Sequence, residues 1–573
     1  MTFRRFGQIL FAGFLLFCAA TLLPGGAPAV SGQETGTSLE LSGFLVDAQG
    51  QAIAGAEVLV YLDDAEEAAA HTESREDGSW VVRLPDSPAS SVRVEIERAH
   101  FEPYHYELSP DELLQLITDG VFSLRQITLE NHIGLGFWVA GLTFVIVLLL
   151  IAFEKLKNTL AALLGISVVF ISTFIGGAIT PDLYIFDFER ALTYINWEVI
   201  FLVMGMMIVV GIIEGTGIFQ WLAFMAYRAS RGRISLLIVV LIVITSVASA
   251  LLDNVTTMLL MAPISIQIAL ALNISPLALL VPEILASNVS GISTLIGTPT
   301  NILIGAYADI SFNDFLIFQT PGVLAAMVVM TLYVLFHYRH EISKHPGGIS
   351  PTLYAKLQEN ARIKDPRALQ RALVVFSGML IFFAIGESLH LVPAVTALVG
   401  ATILLLWVEP DIEKMLMAVD WMTLVFFMAL FMLVGAVQEV GILGLFAGAM
   451  GQLIGESIVL GIIVMVIGVG LLSFGIANVP LAAAMLPVVR FLSSGIPGAE
   501  SKVLYYALSM GAAMGGNGFL IGGETNLMTS GIAERAGVPI TFMGFMKIGV
   551  PVTLLTLATG ALWLWLRFVV MGA

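Results

Sequence analysis

The sequence predicts an α-helical polytopic membrane protein: two inverted repeats of five spans plus one re-entrant hairpin each, preceded by a small all-β sandwich domain. Three observations carry that prediction. The 573-residue chain is 58% hydrophobic and only 12% charged, where soluble domains run roughly 45–50% apolar and about 25% charged. Apolar runs near the roughly 20 residues that span a bilayer recur from residue 134 onward. The second half of the chain repeats the first at an offset of about 224 residues. With a mean hydropathy of +0.92, a soluble enzyme, a disordered scaffold and a nucleic-acid binder are all excluded, and membrane lipid is the first expected partner.

The net charge of −17 is local. Residues Glu34 to Glu130 hold 20 acids against 5 arginines, whereas the last 443 residues hold 23 acids against 19 bases. The acidity belongs to one N-terminal segment. Cys18 is the single cysteine, so disulfides and Cys-built metal or redox sites are excluded.

Residues 1–29 read as a secretory signal. Arg4 and Arg5 form the positive end, Gly7 to Leu23 the apolar stretch, and Ala27-Pro28-Ala29 a small-x-small cleavage site. An uncleaved first transmembrane helix is the alternative. Residues 30–130 form the expected extracytoplasmic domain. Strands are predicted at 39–47, 56–61, 80–84 and 92–96, with turns at Gln49-Gly50-Gln51 and Glu76-Asp77-Gly78-Ser79. Pro110 to Asp119 reads as a short helix leading toward the membrane. The order of glycines, Asp47, Ile53 to Val58 and Asp77 to Trp80 resembles the carboxypeptidase regulatory-like, transthyretin-like module. That resemblance implies a binding or spacer role.

Predicted spans are 134–153, 158–179, 196–213, 234–252, 255–272, 276–308 (broken) and 315–338, then 372–390, 392–408, 421–437, 458–476, 479–492, 504–530 (broken) and 545–569. Repeat 1 is assigned to 131–338, a cytoplasmic linker to 339–371 and repeat 2 to 372–573. Asn196-Trp197 pairs with Asp420-Trp421, Gly217-Ile218 with Gly441-Ile442, and Asn254-Val255 with Asn478-Val479. Shifted by one, Leu295-Ile296-Gly297 pairs with Leu520-Ile521-Gly522, and Asn301 with Asn526.

Arg228, Arg231 and Arg233, and a linker with seven Lys/Arg against three acids, belong on the cytoplasmic side. That works only if 234–252 and 255–272 form a re-entrant hairpin with Asp253-Asn254 at its tip. Five crossings plus a hairpin then invert repeat 2 relative to repeat 1, an architecture of secondary transporters. Two ordinary full spans are the alternative.

Two places per repeat break the rules of lipid-facing helices. One is the hairpin tip: Asp253, Asn254, Thr256 and Thr257, with Asn478 opposite. The other is the broken span, where Ser293, Thr294, Gly297, Thr298, Pro299 and Asn301 face Asn517, Gly522, Glu524, Thr525 and Asn526. Pro299 removes an N–H and the glycines permit unwinding, so backbone carbonyls become ligands for a hard cation while half-helix N-termini can face an anion. Asn301 and Asn526 are the expected paired polar ligands. Glu283, after Pro282, is a candidate proton relay. Glu214 and Glu439 read as interfacial, Asp420 as a helix cap and Lys547 as snorkelling.

Ser249 to Thr257, Asn288 to Gly305 and Gly515 to Arg535 resemble the arsenite permease / NhaD-type sodium–proton antiporter / P-protein family of the ion transporter superfamily. The resemblance covers about residues 134–570. It implies scaffold and transport subdomains, hairpin tips meeting at the midplane, a homodimer and an elevator-like movement. The chain departs from that family in two places. Gly297-Thr298-Pro299-Thr300-Asn301 lacks the acid of the family's Gly-Asp-Pro-Pro-Asn, and Glu524 supplies an acid in the other repeat.

The expected function is cation-coupled secondary transport in a bacterial-type inner membrane, with Na⁺/H⁺ antiport as one form. Na⁺ or H⁺ is the coupling ion and no resident cofactor or metal is expected. Coupled transport of a small anion (carboxylate, sulfate-like or arsenite-like) and a receptor using the outer domain are the alternatives. An enzyme is not expected: no His-Glu-x-x-His and no ATP-binding loop occurs.

Overall fold

The computed structural model describes residues 39–572 except 48–49, 51, 64, 66, 86–89, 154, 232, 344–357 and 360. The predicted signal with Cys18, and much of the predicted linker, lie outside the described residues. The chain divides into two compact units.

The first is the β unit. Its strands are β1 (Leu39–Asp47), β2 (Glu57–Leu62), β3 (Ala70–Glu73), β4 (Ser79–Leu84), β5 (Val92–Glu97), β6 (Tyr104–Glu107) and β7 (Val121–Leu129). They form two sheets, ordered β4-β1-β7 and β3-β2-β5-β6. Alternation puts Leu41, Val58, Val60, Trp80, Val94 and Ile96 inside. Helix α1 (Pro110–Asp119) forms where the sequence places it, opened by a Ser109/Glu112 capping box. It does not lead onward as a helix. Gly120, at φ 74°, turns the chain back into β7. Strands β3 and β6 have four residues each, too short to register as alternation.

The second unit is helical. Repeat 1 holds α2 (Leu135–Ala152), α3 (Asn158–Ile179), α4 (Trp197–Gly215), α5 (Ile218–Ser230), α6 (Ile234–Leu251), α7 (Asn254–Ala271), α8 (Leu277–Ser290), α9 (Pro299–Ala308) and α10 (Phe312–His337). Repeat 2 holds α11 (Pro366–Ile385), α12 (Pro393–Val408), α13 (Trp421–Glu439), α14 (Ile442–Ile454), α15 (Ile458–Leu472), α16 (Asn478–Gly495), α17 (Val503–Gly515), α18 (Glu524–Arg535) and α19 (Phe542–Val570). Among the described residues, eight helices are long and apolar enough to cross a membrane. The chain is a multi-pass membrane protein.

The duplication holds at the level of single caps. Both α5 and α14 follow a left-handed glycine, Gly217 at φ 84° and Gly441 at φ 82°. Helices α7 and α16 start at the paired Asn254 and Asn478 and have 18 residues each. Two differences from the sequence reading have physical causes. Helices α5 and α14 have 13 residues, too few to stand out as spans. The predicted linker gives way to helix at Pro366, because Asp365 caps α11 by accepting from the Arg367 and Ala368 amides. As the sequence predicts, the 276–308 and 504–530 runs are broken, each into two helices with a 3₁₀ turn at the break.

Only Leu252 and Asp253 separate α6 from α7, and α8 packs against both arms. By length alone each arm could cross a membrane. Their tip instead ends against the break between α8 and α9: Ser249 Oγ donates to Ser287 O at 2.8 Å, and Asn254 Nδ2 to Asn288 Oδ1 at 2.9 Å. Repeat 2 makes the equivalent contact, Ser473 Oγ to Ala512 O at 2.7 Å.

Candidate functional site

Each break is unwound and stapled by its own asparagine. Asn301 Nδ2 faces three carbonyls, Gly291 O, Ile292 O and Thr294 O, at 3.3, 3.1 and 2.8 Å. Its Oδ1 accepts from Ser509 Oγ of repeat 2 at 2.6 Å. Asn526 repeats this on Gly516 O and Phe519 O at 2.7 and 3.1 Å. The two asparagines were expected to be open ligands. Their amide nitrogens are instead committed to holding the loops, because an unwound turn leaves carbonyls that need donors. Thr298 caps α9 by accepting from Asn301 N, Thr294 Oγ donates to Ala250 O, and Ser293 O accepts from Thr320 Oγ.

Asn288, which the sequence reading passed over, joins the repeats. Its Nδ2 donates to Asn517 Oδ1 and Asn526 Oδ1, both at 2.8 Å, while its Oδ1 accepts from Asn254. Asn517 Nδ2 in turn reaches Leu285 O at 3.1 Å. All four asparagines are buried. Removing the hub strands three buried polar partners, each worth about 1–3 kcal/mol. Asn288→Ala is therefore expected to lower stability by about 3 kcal/mol, read as a drop in melting temperature in detergent.

Carbonyls crowd the glycines of each break. A β-carbon at Gly297 would overlap Gly291 O and lie 2.9 Å from Ser249 O. One at Gly522 would lie 2.8 Å from both Gly516 O and Ser473 O. The Asn478 amide, oriented by its neighbours, donates to Ala512 O at 3.0 Å and Gly522 O at 3.2 Å. Each tip thus meets a nest of oxygens, the donor type that hard cations take.

The carboxylates converge beside these nests. Asp253 caps α7, accepting from Val255 N at 2.7 Å, Thr256 N at 3.1 Å and the Thr256 hydroxyl. Glu524 starts α18 and accepts from Asn158 Nδ2 at 3.2 Å. Asp253, Thr256, Pro299 and Glu524 line one cavity of about 250 Å³ with Glu214 and Asp420. Its other lining residues are apolar apart from Thr423, and no Lys, Arg or His is among them. Asp420 caps α13 as expected, accepting from Met422 N and Thr423 N, and also faces this cavity. Asn254, Asn301, Asn478, Asn517 and Asn526 are not among the residues that line it, nor are Thr257, Ser293, Thr294, Thr298, Gly297, Gly522 and Thr525. Glu283 is elsewhere, bonded to Ser265.

A second cavity, of about 450 Å³, is the repeat-related mate of the first. Phe431, Gly435, Gln438 and Asn196 stand in it where Met207, Gly211, Glu214 and Asp420 stand in the first. It sits at the opposite end of α4, by Trp197 rather than Glu214. The mates differ in depth. The first touches hairpin tip and break; the second touches neither Ala477 nor Asn478.

The model of the citrate transporter family matches residues 148–511. A 46 kDa membrane protein of Mycobacterium leprae is 35% identical over 76% of this chain and 99% of its own. An uncharacterized transporter of Synechocystis is 33% identical over 75% of this chain and 97% of its own. The human P protein is 31% identical over 74% of this chain and 59% of its own. Among solved structures, the Alcanivorax borkumensis YdaH transporter superposes with a TM-score of 0.49 at 12% identity, over 76% of this chain and 98% of its own.

Proposed function

This chain belongs to the citrate transporter family, and from that premise we propose that it is a cation-coupled secondary transporter that binds Na⁺ or H⁺ at Asp253 and Glu524. The single observation that carries the reading is the sign of the cavity: four carboxylates and no basic residue. Such a lining attracts cations and repels a bare anion. Carboxylates away from bulk water are stable only when neutralised by a proton or a metal cation. One site occupied by either species in turn is the requirement for antiport, which is the form we favour.

The paired cavities support alternating access. In inverted repeats the two end states arise by exchanging the conformations of the halves. Lys364 N, at the end of the basic linker, donates to Thr216 O beside Glu214, so the deeper cavity lies at the linker's end of α4. With the basic segments cytoplasmic, this is the inward-facing state, in a bacterial-type inner membrane with the β unit extracytoplasmic. An elevator-like movement would carry the hairpins and breaks past α4 and α13 and part Glu524 from Asn158.

A second reading is coupled transport of a small carboxylate anion. The N-termini of α9 and α18 both begin at the cavity, at Pro299 and Glu524, and helix N-termini favour anions. Thermal unfolding of the purified protein against cation and anion panels separates the two. Our reading expects stabilisation by Na⁺ alone, in a concentration-dependent manner. Stabilisation by citrate or another carboxylate, with none from Na⁺, would sink it.

A further inference from the structure

Glu283 has no part in the site described above, yet among the described residues it is the most deeply enclosed acid of the helical unit. It lies in α8, fully buried. Ser265 Oγ of α7 donates to its Oε1 at 2.7 Å, and its Oε2 has no partner. Helix α8 packs against α6, α7, α10, α17, α18 and α19. The titratable or charged groups on those helices are Asp314, Tyr333 and His337, Tyr505 and Tyr506, Glu524, Glu534 and Arg535, and Lys547 and Arg567. None of them makes a hydrogen bond or ion pair with the Glu283 carboxyl. In this conformation the carboxyl has one hydroxyl donor and no cation beside it, so holding it as the anion is costly.

The fold does not require it. At the offset that pairs Gly297 with Gly522 and Asn301 with Asn526, Glu283 pairs with Leu508, which is equally buried. Leucine fills the same place in the sister repeat, so an acid in this one is an avoidable cost. Polar groups also lie between it and the hairpin tip. Asp253, Thr257, Met261 and Ser265 follow one another at every fourth position of α7, one ridge of the helix. Thr257 Oγ1 on that ridge is buried without a partner. The ridge links the hairpin tip to the Ser265–Glu283 pair over about 18 Å.

We propose that Glu283 is a second proton-carrying group of this transporter, distinct from the cavity carboxylates, with the Ser265 hydroxyl as its immediate hydrogen-bond partner. The proposal rests on the cation-coupled reading. The full chain in liposomes tests it, comparing wild type with Glu283→Leu and the near-isosteric Glu283→Gln. Protons moved per Na⁺ and Na⁺-dependent thermal stabilisation are both measured across pH. Both variants are expected to keep the stabilisation by Na⁺ but to move fewer protons per Na⁺ and lose part of the pH dependence. Glu283→Leu should also melt at a higher temperature than wild type. Unchanged proton counts and pH profile in either variant overturn the proposal. So does joint loss of Na⁺ binding and thermal stability in both, which marks a structural role. A wild-type protein that moves no protons with any cation overturns the coupling reading as well.

Discussion

Asp253→Asn is expected to abolish cation-driven transport while leaving the protein folded. Asparagine caps a helix about as well as aspartate, so the bonds from Val255 N and Thr256 N survive the change. The charge does not. Removing one unit charge about 4 Å from a bound cation costs about 4 kcal/mol at an effective dielectric of 20, or about a thousandfold in affinity. Glu524→Gln should behave alike, since Gln can still accept from Asn158 Nδ2. Asp365→Asn is the control: that aspartate also caps a helix, α11, through Arg367 N and Ala368 N, but lines neither cavity. Cation flux measured in proteoliposomes should fall to the protein-free level for the first two variants and stay near wild type for the third.

Gly297→Ala is expected to have the next largest effect, this time on the scaffold of the site. The added methyl would meet the backbone oxygens of Gly291 and Ser249, not a side chain that could swing away. Overpacking of this kind costs about 1–3 kcal/mol, and more where backbone must shift. The tip and the break would be forced apart, taking the Ser249–Ser287 bond with them. Both transport and melting temperature should fall. Gly522→Ala, with its closest contacts at 2.8 Å, should follow the same pattern more mildly. A thermal shift series with paired flux assays checks both; wild-type values for Gly297→Ala would mean that the break is looser than its geometry.

The architecture was legible because membrane helices leave a strong signal. Apolar runs located the spans, and paired residues such as Trp197/Trp421 and Asn254/Asn478 exposed the duplication. Length worked against the short elements: α5, α14, β3 and β6 lack the residues to show a period. At the site, sequence could nominate polar residues that offend the membrane rules but could not say which way each one faces. Asn301 and Asn526 turn their amide nitrogens into their own loops. Asp253 and Glu524 face the cavity. Asn288 stood in the quoted motif from the start, but its bonds reach 229 and 238 residues along the chain, a distance no local pattern reports. In the sequence Glu214 reads as a span-end acid; only the packing of α4 beside the break of repeat 1 and the start of α13 brings it to the cavity.

The central claim is that one carboxylate-lined cavity exchanges a metal cation for protons. Liposomes holding the purified protein and an acidic interior, with a pH-sensitive dye inside, test it when Na⁺ is added outside. The account predicts rapid loss of the pH gradient with wild type, and no response with Asp253→Asn or Glu524→Gln. A gradient that wild type leaves intact under every monovalent cation, or that both variants dissipate at the wild-type rate, would contradict it.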